Sequence, residues 1–352
     1  MTSRWLFSAR VDVAVFAGTV AASAAVVLGA AALGLGDELP PWGFLVFVVG
    51  IDVAHVWSTL FRVYLDGDEV RRRPLLYGSA PLVAFGLGVA AHAVSSAFFW
   101  RALAYVAVWH FVRQQVGWAV LYGRRAKSPE WVVRFDRAVL YVVTLAPVLW
   151  WHAHLPRPFW WFREGDFVDG LPAAVGTAAL ALQFAVLLAW LVTMAATRHL
   201  HAGKALLVAA TWAAWFGGIV LAQSDLAFTV MNVGLHGVPY LALTRRYAAG
   251  RLADGGYGRL AGLVRAGLPA FVALLLALAF AEEALWNGLV WHEHPTLFGA
   301  WGVDLSPALL TLVVPLLSVP QVTHYLLDGF VWRTRDDAAL PARLGWTSAP
   351  DP

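Results

Sequence analysis

The sequence predicts an all-α protein, a polytopic transmembrane helix bundle of about ten spans with both termini on the cytoplasmic side. Three observations carry this. Of the 352 residues 60% are hydrophobic and only 13% charged, against roughly 45–50% and about 25% in soluble domains. Ten mostly apolar stretches reach the roughly 20 residues that a helix needs to cross a bilayer. Arginine and lysine alternate between the intervening loops as cytoplasmic and outer loops require.

The stretches lie near 11–34, 41–65, 75–98, 100–123, 131–151, 172–197, 204–223, 225–246, 266–285 and 306–332. The first follows Arg4 and Arg10 and contains Ala-Ser-Ala, as a secretory signal does. Its apolar run exceeds the roughly 7–15 residues of a signal core, so it is expected to remain as a helix. The second carries His55 in IDVAHVWSTLFRVYLD and ends in the charged LDGDEVRRR; the third holds His92 near its outer end. The fourth carries His110 in AVWHFVRQQVGW, and the fifth and sixth carry no such motif. The seventh and eighth abut at Gln223-Ser224-Asp225, and the eighth carries His236 in VMNVGLHGVPYL ahead of the breaker Pro239. The ninth carries no histidine, and the tenth holds Pro315, Pro320 and His324 in VPQVTHYLLDGF. Residues 1–352 are expected to form a single integral-membrane domain, with 333–352 a short cytoplasmic tail.

With both termini inside, the cytoplasmic segments collect Arg4 and Arg10, then Arg71, Arg72 and Arg73, then Arg124, Arg125 and Lys127. They continue with Arg198 and Lys204, with Arg245, Arg246, Arg251 and Arg259, and with Arg333, Arg335 and Arg343. The other side holds Arg101, Arg157 and Arg163 among Asp37, Glu38, Glu164, Asp166, Glu282, Glu283 and Asp304. An odd number of spans would break this alternation. Outer segments near 152–171 and 286–305 and their borders carry Trp150, Trp151, Trp160, Trp161, Trp286, Trp291 and Trp301, which fits an interfacial aromatic belt. The expected location is an inner (cytoplasmic) membrane, and the excess of Arg over Lys suggests a GC-rich bacterium. The lipid bilayer is the expected partner. The basic residues lie where topology puts them, so the net charge of +3 calls for no nucleic acid.

The absence of cysteine excludes thiolate metal sites, iron–sulfur clusters and disulfides. Ionisable groups at bilayer depth are costly and mark function, and this chain places four histidines there. His236 and His324 each lie 9 residues before a basic residue (Arg245, Arg333), His55 lies 11 before Asp66 and His110 lies 14 before Arg124. At the helical rise these offsets put all four about 14–21 Å from the cytoplasmic ends, close to one level. Residues three and four apart share a helix face. Asp52, His55, Thr59, Arg62 and Asp66 thus form a polar seam, with Arg62 read as reaching the headgroups and Asp66 as solvated at the membrane edge. His110 pairs with Gln114, Asn232 with His236, and Gln321, His324 and Asp328 form another stripe. His55, His110, His236 and His324 are the expected metal ligands. Asp52 and Asp328 are further ligands or orient an imidazole. Gln114 and Asn232 are candidate catalytic hydrogen-bonding groups, and Arg113 is a third, paired with Asp52 or clamping a substrate carboxylate. The His152/His154 and His292/His294 pairs are peripheral candidates for a loop metal site, and His199 and His201 for headgroup contacts.

The motif VPQVTHYLLDGFVWR, with the ordered mid-helix histidine motifs before it, resembles the Brp/Blh family of bacterial membrane proteins that cleave β-carotene to retinal. That family's opening Pro-His-Gly…Asp motif has no counterpart here; Asp52-Val-Ala-His55 holds the residue types in another order. The resemblance implies a histidine-ligated iron acting with dioxygen on a lipophilic substrate.

The functional expectation is therefore a membrane-embedded non-haem metal oxidoreductase, an oxygenase such as a dioxygenase, acting on a lipid-soluble small molecule. Non-haem iron is the expected cofactor, with zinc and copper as alternatives for a nitrogen and oxygen donor set. Two other readings stand beside it. One is a b-type haem protein using pairs of these histidines as axial ligands. The other is a proton- or ion-coupled transporter with a His/Asp relay.

Overall fold

The structure, a computed structural model, describes residues 5–346 apart from 158 and 160. Arg4, Trp160 and the last part of the expected tail, 347–352, lie outside the described residues. The described chain is helical and contains no strand. Its long helices follow the ten apolar stretches: α1 Ala9–Ala32, α2 Pro41–Arg62, α3 Pro74–Val94, α4 Ser96–Arg125, α5 Glu130–His152, α6 Ala173–Ala196, α7 Ala202–Leu221, α8 Asp225–Ala253, α9 Gly267–Trp291 and α10 Pro307–Val331. Eight of them, all but α4 and α5, are long and apolar enough to cross a membrane. With 30 and 23 residues, α4 and α5 do not lack length. They are set apart by polar residues such as His110, Arg113, Gln114 and Gln115 on α4 and Arg134, Asp136 and Arg137 on α5.

Local chemistry sets the helix ends. Ser8, Ser224 and Ser306 accept backbone N–H bonds at the starts of α1, α8 and α10, and Pro41, Pro74 and Pro307 occupy first-turn positions where no N–H is needed. Widened turns with i→i+5 bonding interrupt several helices, including Phe44–Val53 in α2 and Thr229–Val233 in α8. Such turns are rare and recur at functional sites. Here one ends two residues before His55 and the other three residues before His236.

The chain groups into two compact units. The first comprises the described residues of 5–39 and Ala104–Pro239. In it α5 lies along α6 and α7 packs on α5. Gly176 brings α6 close, since a Cβ there would sit 3.1 Å from Ala153 and Trp150. In lipid, helices associate through close packing and polar bonds rather than hydrophobic burial, and this unit supplies both. Asp136 accepts from Lys204 Nζ at 2.9 Å and from Trp190 Nε1 at 2.8 Å. Asp12 accepts from Tyr122 Oη at 2.6 Å, and Ser23 donates to the Val230 carbonyl at 2.9 Å.

The second unit comprises Pro40–Leu103 and the described residues of 240–346. Within it α9 packs on α2, and α3 packs on both halves of α10. Gly88 allows the last of these contacts, because a Cβ would lie 2.9 Å from the Pro315 side chain. The residues after α10 are not a loose tail: Asp337, Leu340 and Leu344 are buried. Arg62 does not reach for headgroups. It is fully buried, donates to the Val331 carbonyl at 2.6 Å and to Tyr247 Oη at 3.0 Å, and pairs with Glu69 at 3.1 Å and Asp337 at 3.3 Å. Asp66 is likewise buried rather than solvated, held by Arg251, and it caps the short helix Gly67–Arg72. The reason is the returning C-terminal segment, which brings Asp337 and Arg343 back over the end of α2, beyond the reach of a reading made helix by helix.

Candidate metal centre

In the second unit α2 presents His55 and Thr59 one turn apart, and α10 brings His324 against them. The two imidazoles are edge to face, with centroids 4.9 Å apart at 84°. Thr59 Oγ1 lies 2.8 Å from His324 Nδ1. When that nitrogen carries the proton and donates it to the threonine oxygen, Nε2 presents the lone pair a metal takes. His55 Nδ1 lies 3.5 Å from Asp52 Oδ1, one turn earlier on the same helix. Tyr240, at the middle of α8, turns the edge of its ring to both, with centroids 5.8 Å from His55 and 5.1 Å from His324.

In the first unit α4 and α8 bring His110 and His236 together, centroids 5.0 Å apart at 82°. Phe111 stacks on His236 at 3.6 Å and 8°, fixing that ring. Asn232, one turn before His236, donates to the Phe228 carbonyl at 3.2 Å. Gly218 makes room for its amide: a Cβ there would lie 2.4 Å from Asn232 Nδ2. Gln114, one turn after His110, is buried, and neither atom of its amide has a hydrogen-bond partner among the described residues.

One ring nitrogen of each of His55, His110, His236 and His324 lies within 4.8 Å of the others, and all four residues are buried. Four buried histidines so placed can hold a metal ion. The donor set fits: neutral imidazoles without sulfur suit iron, zinc, copper or nickel, and the second nitrogen of His324 is hydrogen-bonded to Thr59 while that of His55 lies 3.5 Å from Asp52 Oδ1, partners of the kind that orient metal-ligating histidines.

The other expected site residues fall into place differently. Asp52 and Asp328 are not in the group of four. Asp52 sits beside His55 Nδ1, and Asp328 is an electrostatic neighbour of Tyr240. Arg113 is exposed, donates to Tyr141 Oη and has its guanidinium 5.9 Å from the Trp109 ring centroid. Tyr141, on α5, is the partner it finds within its own unit. His152 is no loop residue: it ends α5, bonded to the Val148 carbonyl at 2.7 Å and to Tyr105 Oη at 2.9 Å, while His154 bonds the Trp150 carbonyl at 2.7 Å. His294 lies against Phe44 with centroids 4.0 Å apart at 37°, and His292 lies 4.0 Å from Asp304.

Sequence reasoning passed over three participants. Thr59 was visible only as a member of the seam, and Tyr240 carried no signal beyond its place four residues after His236. Glu282, read as an outer-loop acid, lies inside α9, buried, and accepts from Trp57 Nε1 at 2.6 Å; an acid pair within AFAEEALW was the available signal. No family model, no curated protein and no solved structure matches this chain.

Proposed function

We propose that the chain is a membrane-embedded metal oxidoreductase acting on a lipid-soluble substrate, with non-haem iron held by His55, His110, His236 and His324. The convergence of four buried imidazole nitrogens within 4.8 Å is the observation that carries this reading. A bare ion suits it better than haem, because the group offers four imidazoles together and a haem iron takes at most two as axial ligands. The resemblance carried by VPQVTHYLLDGFVWR points the same way.

In this reading Thr59 and Asp52 orient His324 and His55. The metal, when bound, activates dioxygen or polarises the substrate. The apolar helices exclude water and admit a substrate from the bilayer. Gln114, with its amide unsatisfied and buried, receives a polar group of that substrate. The bilayer and a lipophilic small molecule are the proposed partners, and a cellular inner membrane the proposed location.

The test is oxygen uptake by iron-loaded, detergent-purified protein given a total membrane-lipid extract, with mass spectrometry for oxygenated products. Uptake that requires the lipid and vanishes in His324→Ala supports the proposal. Tightly bound zinc with no oxygen uptake from any fraction contradicts it.

A further inference from the structure

The second unit contains a line of oxidisable aromatic rings that starts at the histidines. Tyr240 meets His324 edge to face at 5.1 Å and 89°. Trp332 meets Tyr240 at 5.9 Å and 87°, and its Nε1 lies 3.3 Å from Tyr240 Oη. Both spacings fall within the roughly 4.5–7 Å of paired aromatic rings. Tyr240 is buried, whereas Trp332 follows the last residue of α10 and is half-exposed. The line therefore runs from the histidine pair to the end of the helix that carries His324.

Two further features suit one-electron chemistry. A phenol that gives up an electron also gives up its proton, and Asp328 is the acidic group whose charge acts on Tyr240. A positive charge on an oxidised indole would be opposed by Arg62, whose guanidinium carbon is 5.4 Å from the Trp332 ring centroid. That charge is already compensated by Glu69 at 3.1 Å and Asp337 at 3.3 Å.

We propose that Tyr240 and Trp332 form a relay that carries single electrons from the aqueous face to the metal held by the histidines. The inference rests on the oxidoreductase reading above. With an oxidised metal bound by the histidines, Tyr240 would give up one electron to it and its phenolic proton to Asp328, becoming a neutral tyrosyl radical. Trp332 then returns one electron to Tyr240 as the proton moves back from Asp328 to the phenol oxygen. The indole radical cation is reduced by a soluble one-electron donor, which is the net reductant. One electron is gained by the metal, one is lost by the donor, and no proton is consumed.

The experiment is rapid-freeze electron paramagnetic resonance on full-length, iron-loaded protein mixed with hydrogen peroxide, with bound iron measured on the same samples. Tyr240→Phe, Trp332→Phe and the wild type are compared, with and without ascorbate as the donor. The relay predicts a tyrosyl signal in the wild type that is absent from Tyr240→Phe. It predicts at least a tenfold longer life of that signal under ascorbate in Trp332→Phe, because the refilling ring is gone. Iron bound at wild-type level with no tyrosyl signal, or a signal that survives Tyr240→Phe, overturns the relay while leaving the metal centre standing. Protein that binds no iron removes the oxidoreductase reading, and the relay with it.

Discussion

Thr59 Oγ1 and His324 Nδ1 are hydrogen-bonded at 2.8 Å although 265 positions apart in sequence. A polar bond between membrane helices contributes on the order of 1 kcal/mol, too little to matter for a chain with this much packed helix. Its consequence is orientation: the bond directs the opposite ring nitrogen, Nε2, away from Thr59. Thr59→Val therefore weakens metal binding about 10–100-fold with little change in thermal stability, and Thr59→Ser restores it. Competition against a graded series of chelators checks this. Equal affinity in all three proteins would mean that packing alone sets the ring.

Gln114 gives an opposite sign for stability and function. Its buried amide has no partner among the described residues, and an unsatisfied buried polar group costs about 1–3 kcal/mol. Gln114→Leu is expected to raise the melting temperature of the substrate-free protein, to keep its metal, and to raise KM for the substrate. A variant that loses its metal would instead place Gln114 among the groups that build the centre.

The Lys204–Asp136 pair is buried in the first unit at 2.9 Å. Removing one partner of such a pair costs about 3–5 kcal/mol, whereas replacing both by apolar residues is often neutral. Lys204→Met alone should therefore lower the thermal midpoint sharply, and Lys204→Met with Asp136→Leu should recover most of the loss. Additive losses in a double-mutant cycle would show that the two do not act as a pair.

Acid should loosen the return of the C-terminal segment. Burial by itself would raise the Glu69 carboxyl, but the Arg62 charge and the hydrogen bonds from Tyr77 and Arg72 outweigh it and hold the group below its ordinary range. A carboxyl depressed in the folded state contributes stability that is complete above its unfolded value, about 4.3, and is lost as pH falls through the folded one. The wild type should thus lose thermal stability below about pH 4.3 more steeply than Glu69→Gln does. Parallel curves for the two proteins would assign the acid sensitivity to other groups.

Much of this molecule is legible in its sequence because the relevant signals are local. Apolar runs of membrane length mark the helices, and a shared offset from the basic helix ends puts His55, His110, His236 and His324 at one depth. The four do converge. What escapes is long-range. Asp337 reaches Arg62 only because the chain after α10 folds back, so a residue read as reaching lipid headgroups is in fact fully paired. Periodicity places Asp328 on the face of His324 but cannot say that Tyr240, from another helix, will lie against both. Arg113 drew attention by its offset of three from His110, but that its hydrogen bond goes to Tyr141 on another helix is nothing periodicity could show.

The most direct test of the central claim is the metal content of freshly purified protein, with an absorption spectrum, for the wild type and for His55→Ala, His110→Ala, His236→Ala and His324→Ala. The account predicts stoichiometric non-haem metal in the wild type, no Soret band, and loss of metal in each of the four variants, since each ring supplies one donor. Metal retained at wild-type level in the variants, or protein that takes up none when iron, zinc and copper are offered, would contradict it.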